Sequence, residues 1–120
     1  MFSSTLEKKK KKIRSKIKVQ QKYRLTVYKS NKHTYAQVYE YDGSIVITSM
    51  STLDNIFKCE IKKLEKKLNK TEKANLVGHL LAQKIKEKNI NNVAFDRSGF
   101  KFHGRVKAIA DSIKACGIKC

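Results

Sequence analysis

The sequence predicts a two-layer α/β fold: a three-stranded antiparallel meander plus a fourth strand, helices packed on one face, and a flexible basic arm in front. Three observations lead there. Residues 23–49 alternate between apolar and polar around an Asp-Gly turn, the period-2 mark of half-buried strands. Residues 53–88 and 105–116 instead repeat their apolar positions at helical spacing. The first 21 residues hold a lysine run and too few apolar residues for a core. A chain of 120 residues has room for one core and no second domain. The expected organisation is a basic arm over residues 1–21 and a single α/β domain over residues 22–120.

The arm contains the run Lys8–Lys12, with Glu7 as its only nearby acid. Ile13, Ile17 and Val19 offer a thin apolar seam. Such a segment is disordered alone, or a frayed helix that forms on a partner.

In Tyr23–Lys29 (YRLTVYK), Leu25 and Val27 point one way, and Arg24, Thr26 and Tyr28 the other. Ser30–His33 (SNKH) is a polar turn. In Thr34–Tyr41 (TYAQVYEY), Ala36 and Val38 share one face, while Tyr35, Gln37, Tyr39 and Tyr41 share the opposite one. Asp42-Gly43 is a strong hairpin signal, and Ser44–Ser49 (SIVITS) returns as the third strand. One face of this meander is aliphatic, fit to be covered by helices. The other is aromatic and basic, an unusual face to offer only to water.

Leu53, Ile56, Phe57, Ile61, Leu64 and Leu68 recur at helical spacing, with Lys62, Lys63, Lys66 and Lys67 on the polar side. One helix or two short ones would fit, with the lysines as a solvated face. Asn69–Glu72 punctuates the pattern, with Thr71 as the expected N-cap. Ala74, Val77, Gly78, Leu81 and Ile85 form the next stripe, and His79 and Lys84 should lie on helix surfaces. Asn92–Asp96 reads as a short strand with Val93 and Phe95 inward. Val106, Ile109, Ala110 and Ile113 form a last helix, closed by Gly117. The predicted order is arm, β, β, β, α, β, α.

Charge narrows the function. There are 28 Lys and Arg against 10 Asp and Glu, a net +18. Between Lys8 and Tyr39 lie 12 basic residues and no acid, so the rest of the chain nets only +6. Like charges repel in the compact state, so such a block points to a polyanion partner, nucleic acid first. No apolar run approaches the roughly 20 residues of a spanning helix. Cys59, Cys116 and Cys120 form no C-x-x-C and are not spaced with the three His as zinc ligands. They read as reduced thiols in a cytoplasmic protein. No metal, cofactor, membrane or small-molecule substrate is expected.

Phe95–Val106 (FDRSGFKFHGRV) combines an acid, an imidazole and a glycine-bent loop. As an active site it would use Asp96 as carboxylate and His103 as base, but no nucleophile or cluster of acids accompanies them. As a structural loop, Asp96 would cap amides, Gly99 and Gly104 would supply positive φ, and Phe100 or Phe102 would complete the core. That leaves Arg97, Lys101, His103 and Arg105 unexplained. Guanidinium groups that grip phosphate, and aromatic planes that stack on unpaired bases, account for them.

The blocks Arg24–Tyr39 (RLTVYKSNKHTYAQVY), Ser51–Asp54 (STLD) and Phe95–Ile118 (FDRSGFKFHGRVKAIADSIKACGI) together resemble the bacterial-type large-subunit ribosomal protein eighteen family, which binds 5S ribosomal RNA. The resemblance runs from about Lys8 to the C-terminus. It implies a structural, non-catalytic protein of the cytoplasmic ribosome, without cofactor, although an organellar ribosome fits as well. Its partners would be 5S rRNA, the large-subunit rRNA and neighbouring proteins of the central protuberance. Matched by motif, it implies RNA contacts from Arg14, Lys16 and Lys18 in the arm, and from Arg24 and Lys29 on the first strand. Asn31, Lys32, His33, Tyr35 and Gln37 follow in the SNKHTYAQ block, then Arg97, Phe100, Lys101, His103 and Arg105 in the loop. The arm departs from the family in being mainly Lys, a point charge rather than a bidentate fork. Lys58–Lys70 is longer and richer in Lys than usual. A general, charge-driven nucleic-acid-binding protein is the alternative, and a metal-dependent nuclease around Asp96 a second.

Overall fold

The computed structural model describes residues 10–12, 22–40, 44–64 and 66–120. Residues 10–12 of the lysine run are helical. The rest of the arm, with Arg14, Lys16 and Lys18, lies outside the described residues, as do Tyr41 and the Asp42-Gly43 turn.

Among the described residues, four strands, β1 (Tyr23–Lys29), β2 (Thr34–Tyr39), β3 (Val46–Ser51) and β4 (Val93–Asp96), form one sheet in the order β3-β2-β1-β4. The first three make the antiparallel meander. β4 runs parallel to β1, with Leu25 opposite Phe95 and Thr26 opposite Asp96. A parallel neighbour needs a crossover, which helices α1 (Asn55–Lys63) and α2 (Lys70–Glu87) supply. Helix α3 (Arg105–Ala115) follows β4.

The alternation resolves as expected. Leu25, Val27, Ala36, Val38 and Met50 are buried on one face. They pack with Phe57 of α1, Val77, Leu81 and Ile85 of α2, and Val106, Ile109 and Ile113 of α3. Phe95 is half-buried against the same core.

Four details differ from the sequence expectation. β3 begins at Val46 rather than Ser44 and continues to Ser51, because the pairing register shifts between Val38 and Tyr39 and brings Val46 opposite Tyr39. The middle helical stretch is two helices, so the order is β, β, β, α, α, β, α. α1 stops where Leu64 turns extended, and Leu53, 45% exposed, lies in the turn before it. The N-cap of α2 is Asn69, not Thr71. Its Oδ1 accepts from Glu72 N at 2.8 Å while Glu72 Oε1 accepts from Asn69 N at 3.2 Å. This reciprocal pair satisfies two donors, which outweighs what Thr71 alone offers. Finally, Lys84 does not stand free on its helix: its Nζ donates to Ser49 O of the edge strand β3 at 3.0 Å.

α3 ends as expected, with Gly117 at φ 92°. The chain then lays Lys119 beside β4. Val93 N donates to Lys119 O at 2.8 Å, and Lys119 N to Asn91 O at 3.0 Å. This short parallel bridge covers part of the β4 edge, which would otherwise invite another strand.

α2 and α3 touch at Gly78. A Cβ there would lie 2.9 Å from Ile109 O and 2.9 Å from Ser112 Cβ. Nearby, Ser112 Oγ donates to Asn75 O at 2.8 Å and pins the two helices. Ala is favoured over Gly in a helix by about 1 kcal/mol. Overpacking against backbone costs about 1–3 kcal/mol and should win. Gly78→Ala is therefore expected to lower stability despite its better propensity, as read by the denaturant midpoint in urea. An unchanged or raised midpoint would contradict this packing.

Candidate nucleic-acid interface

Because β4 is parallel to β1, both strands finish at the same end of the sheet. The loop after β4 therefore lies beside the turn after β1. The two motifs, far apart in sequence, meet here.

Arg105 joins them. It opens α3, and its Nη1 donates to Ser30 O at 2.7 Å, His33 O at 3.3 Å and Thr34 Oγ1 at 3.4 Å. The turn is held from its other side by Thr52. Thr34 N donates to Thr52 Oγ1 at 3.3 Å, and Thr52 N donates to Thr34 O at 3.1 Å. His33 Nδ1 lies 2.9 Å from the same Oγ1.

The loop is shaped from beneath. Asp96 is fully buried, and its Oδ1 accepts from Ser98 N at 3.0 Å. Ser98 (φ 54°), Gly99 (φ 82°) and Gly104 (φ 57°) are left-handed, which turns the chain sharply around the carboxylate. The glycines were expected there; Ser98 was not. Arg24 Nε lies 3.9 Å from Asp96 Oδ2. The Arg24 side chain is only 14% exposed, so it serves as a counter-charge to Asp96 more than as an open cation.

Across the outer face runs a chain of rings. His33 and Tyr35 centroids are 6.5 Å apart, Tyr35 and Tyr28 6.1 Å, and Tyr28 and Phe100 5.7 Å. Lys29 Nζ stands 5.5 Å from the Phe100 ring. At the other end the Arg24 guanidinium lies 4.9 Å from the Tyr39 ring, and Tyr39 donates to Gln37 Oε1. Tyr28 is 56% exposed, with its ring open to solvent. A row of half-buried rings around exposed Tyr28, flanked by cations, suits stacking on bases and attraction to phosphate.

Of the residues singled out from sequence, Arg24, Lys29, His33, Tyr35, Gln37, Phe100 and Arg105 gather here. Asn31 and Lys32 are exposed at the turn, and Lys101 and His103 on the loop. Arg97 does not join the ring chain. It sits with Phe95, Phe102 and Lys114. Tyr28, Tyr39 and Thr52 were missed. Period-2 alternation already put both tyrosines on the face of Arg24 and Tyr35; nothing local in the sequence marks Thr52 as the support of His33.

This fold and face define an α/β module with a basic, ring-lined surface. The sequence pattern of the family described as ribosomal L18 of archaea, bacteria, mitochondria and chloroplasts matches residues 3–120. The chain is 46% identical over 106 residues to the large ribosomal subunit protein uL18 of Nitrosomonas europaea, covering 88% of this chain and 86% of that one. It is 45% identical over 109 residues to the uL18 of Hydrogenovibrio crunogenus, covering 91% and 90%. It is 44% identical over 96 residues to that of Francisella tularensis subsp. novicida, covering 80% and 79%. The chain belongs to the ribosomal L18 family.

Arg105 and Lys101 separate a structural from a superficial cation. Arg105→Ala is expected to lose about 1.5 kcal/mol or more, since it removes hydrogen bonds from a charged donor to backbone carbonyls. Lys101→Ala, at an exposed position, should stay within about 0.5 kcal/mol of wild type. Urea unfolding of both variants checks this; equal effects would sink the clamp.

Proposed function

We propose that the chain is a structural constituent of the large ribosomal subunit that binds 5S rRNA and helps attach it to the large-subunit rRNA in the central protuberance. Family membership supports the ribosomal part, since the relatives carry the name of a large-subunit protein. The 5S assignment rests on the resemblance of the sequence blocks. The observation that carries the reading is the convergence of the Ser30–His33 turn and the Arg97–Arg105 loop on one ring-lined, basic face. Lys29, Lys32, Lys101 and His103 attract phosphates, the rings stack on unpaired bases, and Arg105 holds the two segments in register. Arg14, Lys16 and Lys18, outside the described residues, are further phosphate contacts that the resemblance implies. No catalytic step is needed for this role, and its place is the ribosome in the cytoplasm.

Two other readings fit less well. A nuclease built on Asp96 would need that carboxylate in contact with water and substrate. Asp96 is fully buried and engaged with Ser98 N–H. A packaging protein that binds any duplex by charge needs no ring chain and no clamp between two loops.

Competition binding at about 150 mM salt distinguishes charge from recognition. Unlabelled 5S RNA is expected to displace labelled 5S RNA far better than a length-matched structured RNA. A Lys32→Ala/Lys101→Ala protein should lose affinity for both competitors, and Phe100→Ala should lose the preference. Equal displacement by both RNAs with the wild type would favour packaging. If about six phosphates are engaged, affinity should also fall about 10³-fold between roughly 50 and 200 mM salt through counterion release. A flat salt dependence would exclude the electrostatic mechanism.

A further inference from the structure

The two phenylalanines of the loop part company. Phe100 goes to Tyr28 on the outer face. Phe102 goes to Phe95, with ring centroids 6.0 Å apart in an edge-to-face contact. Phe95 is in register with Leu25 and so belongs to the core side of the sheet. Phe102 nevertheless stays 41% exposed, because it forms one wall of a cleft instead of closing the core.

That cleft has a volume of about 340 Å³ and is lined by Phe95, Arg97, Phe102, Ala110, Lys114 and Cys120. Its floor is apolar and its cations are two. Lys114 Nζ lies 6.0 Å from the Phe102 ring, so charge and ring are presented together. The volume is at the lower end of the range of about 300–1,000 Å³ typical of small-ligand sites. An apolar slot with one exposed ring and two cations suits a flat aromatic group that carries negative charge. Bases stack on such rings, and Arg and Lys take phosphate. Asp111 acts on Cys120 from nearby as the opposing charge.

We propose that this cleft is a second RNA subsite, separate from the ring chain on the outer face, that receives one unpaired nucleotide. Its base stacks on Phe102, and its phosphates are held by Arg97 and Lys114. The proposal rests on the RNA-binding reading above and deepens it, since the loop then grips RNA on both sides of the sheet edge. It also gives Arg97, which the outer face leaves out, a partner.

Cys120 supplies a reporter. Burial pushes its thiol above the ordinary range, and Lys114 only partly offsets this. It should therefore alkylate more slowly than exposed Cys59, and a mildly alkaline buffer is needed. The full-length Cys59→Ser/Cys116→Ser protein leaves Cys120 as the single thiol. Two RNA hairpins serve as probes, identical except that one carries a single bulged nucleotide.

The bulged hairpin is expected to bind roughly tenfold more tightly, the worth of one stacked base. It should slow Cys120 alkylation, whereas the paired hairpin leaves it unchanged. Phe102→Ala, at a position exposed enough to spare the fold, should abolish the preference and keep the affinity for the paired hairpin. Lys114→Gln should weaken the preference without abolishing it. If both hairpins bind alike and Cys120 reacts at one rate in both complexes, the RNA reading stands and the subsite falls, leaving the cleft to a protein neighbour. If neither hairpin binds while 5S RNA does, the subsite falls and the RNA reading stands; if 5S RNA also fails to bind, both fall.

Discussion

The arrangement depends on one cation. Arg105 stands at the first position of α3 and donates to carbonyls of a turn more than 70 residues away in sequence. Turn carbonyls at the end of a sheet would otherwise be left to water. A guanidinium is suited to this task. Its Nη1 carries two N–H groups held in the guanidinium plane, and two carbonyls and a hydroxyl share them. The clamp also explains the parallel placement of β4. Only a strand that finishes at the same end as β1 can deliver α3, and with it Arg105, to the Ser30–His33 turn.

The clamp lets the protein hold many like charges close together. A net +18 on a chain of 120 residues works against compaction. Part of this is offset inside the fold: Arg24 sits by buried Asp96, Lys84 on a strand carbonyl, and Lys63 and Lys66 by Glu60 and Glu72. The exposed pairs contribute little. On the outer face Lys29 and Arg24 face aromatic rings, which offer a weakly negative surface without an acid that would repel phosphate. Rings between cations thus serve the free protein and fit the proposed complex as well.

The sheet was legible because its cause is local. Alternation in residues 23–39 separates an aliphatic from an aromatic face, and burial follows it residue by residue. The glycines of the loop and Gly117 were legible for the same reason, since positive φ is a property of one residue. What could not be read depends on partners distant in sequence. Arg105 reads as a phosphate ligand from its place at a helix start, and nothing nearby in sequence discloses that Ser30 and His33 are also its acceptors. The end of α1 at Lys63 is obscured because Leu64 and Leu68 continue the apolar rhythm up to the break at Asn69. The Asn69–Glu72 box, which was visible as an N-x-x-E pattern, was passed over in favour of Thr71. The start of β3 was misplaced because a register shift at Tyr39 leaves no mark in composition.

The loop Phe95–Val106 shows why a list of residue types does not define an active site. General acid–base chemistry and RNA binding draw on the same groups: a carboxylate, an imidazole, guanidinium donors and a bent backbone. They differ in where the groups are aimed. Catalysis requires the acid and the base to converge on a space that a substrate can enter. Here Asp96 faces inward to Ser98 N–H and Arg24, fully buried, while His103 stands exposed to solvent. The carboxylate shapes the backbone and the glycines let it turn. The remaining groups are spread outward along two sides of the sheet edge, with Phe100 toward the ring chain and Phe102 toward the cleft. Divergent donors and rings cannot act on one atom, but they can hold an extended polyanion at several points, and each added point makes the grip more selective for the shape of that polyanion.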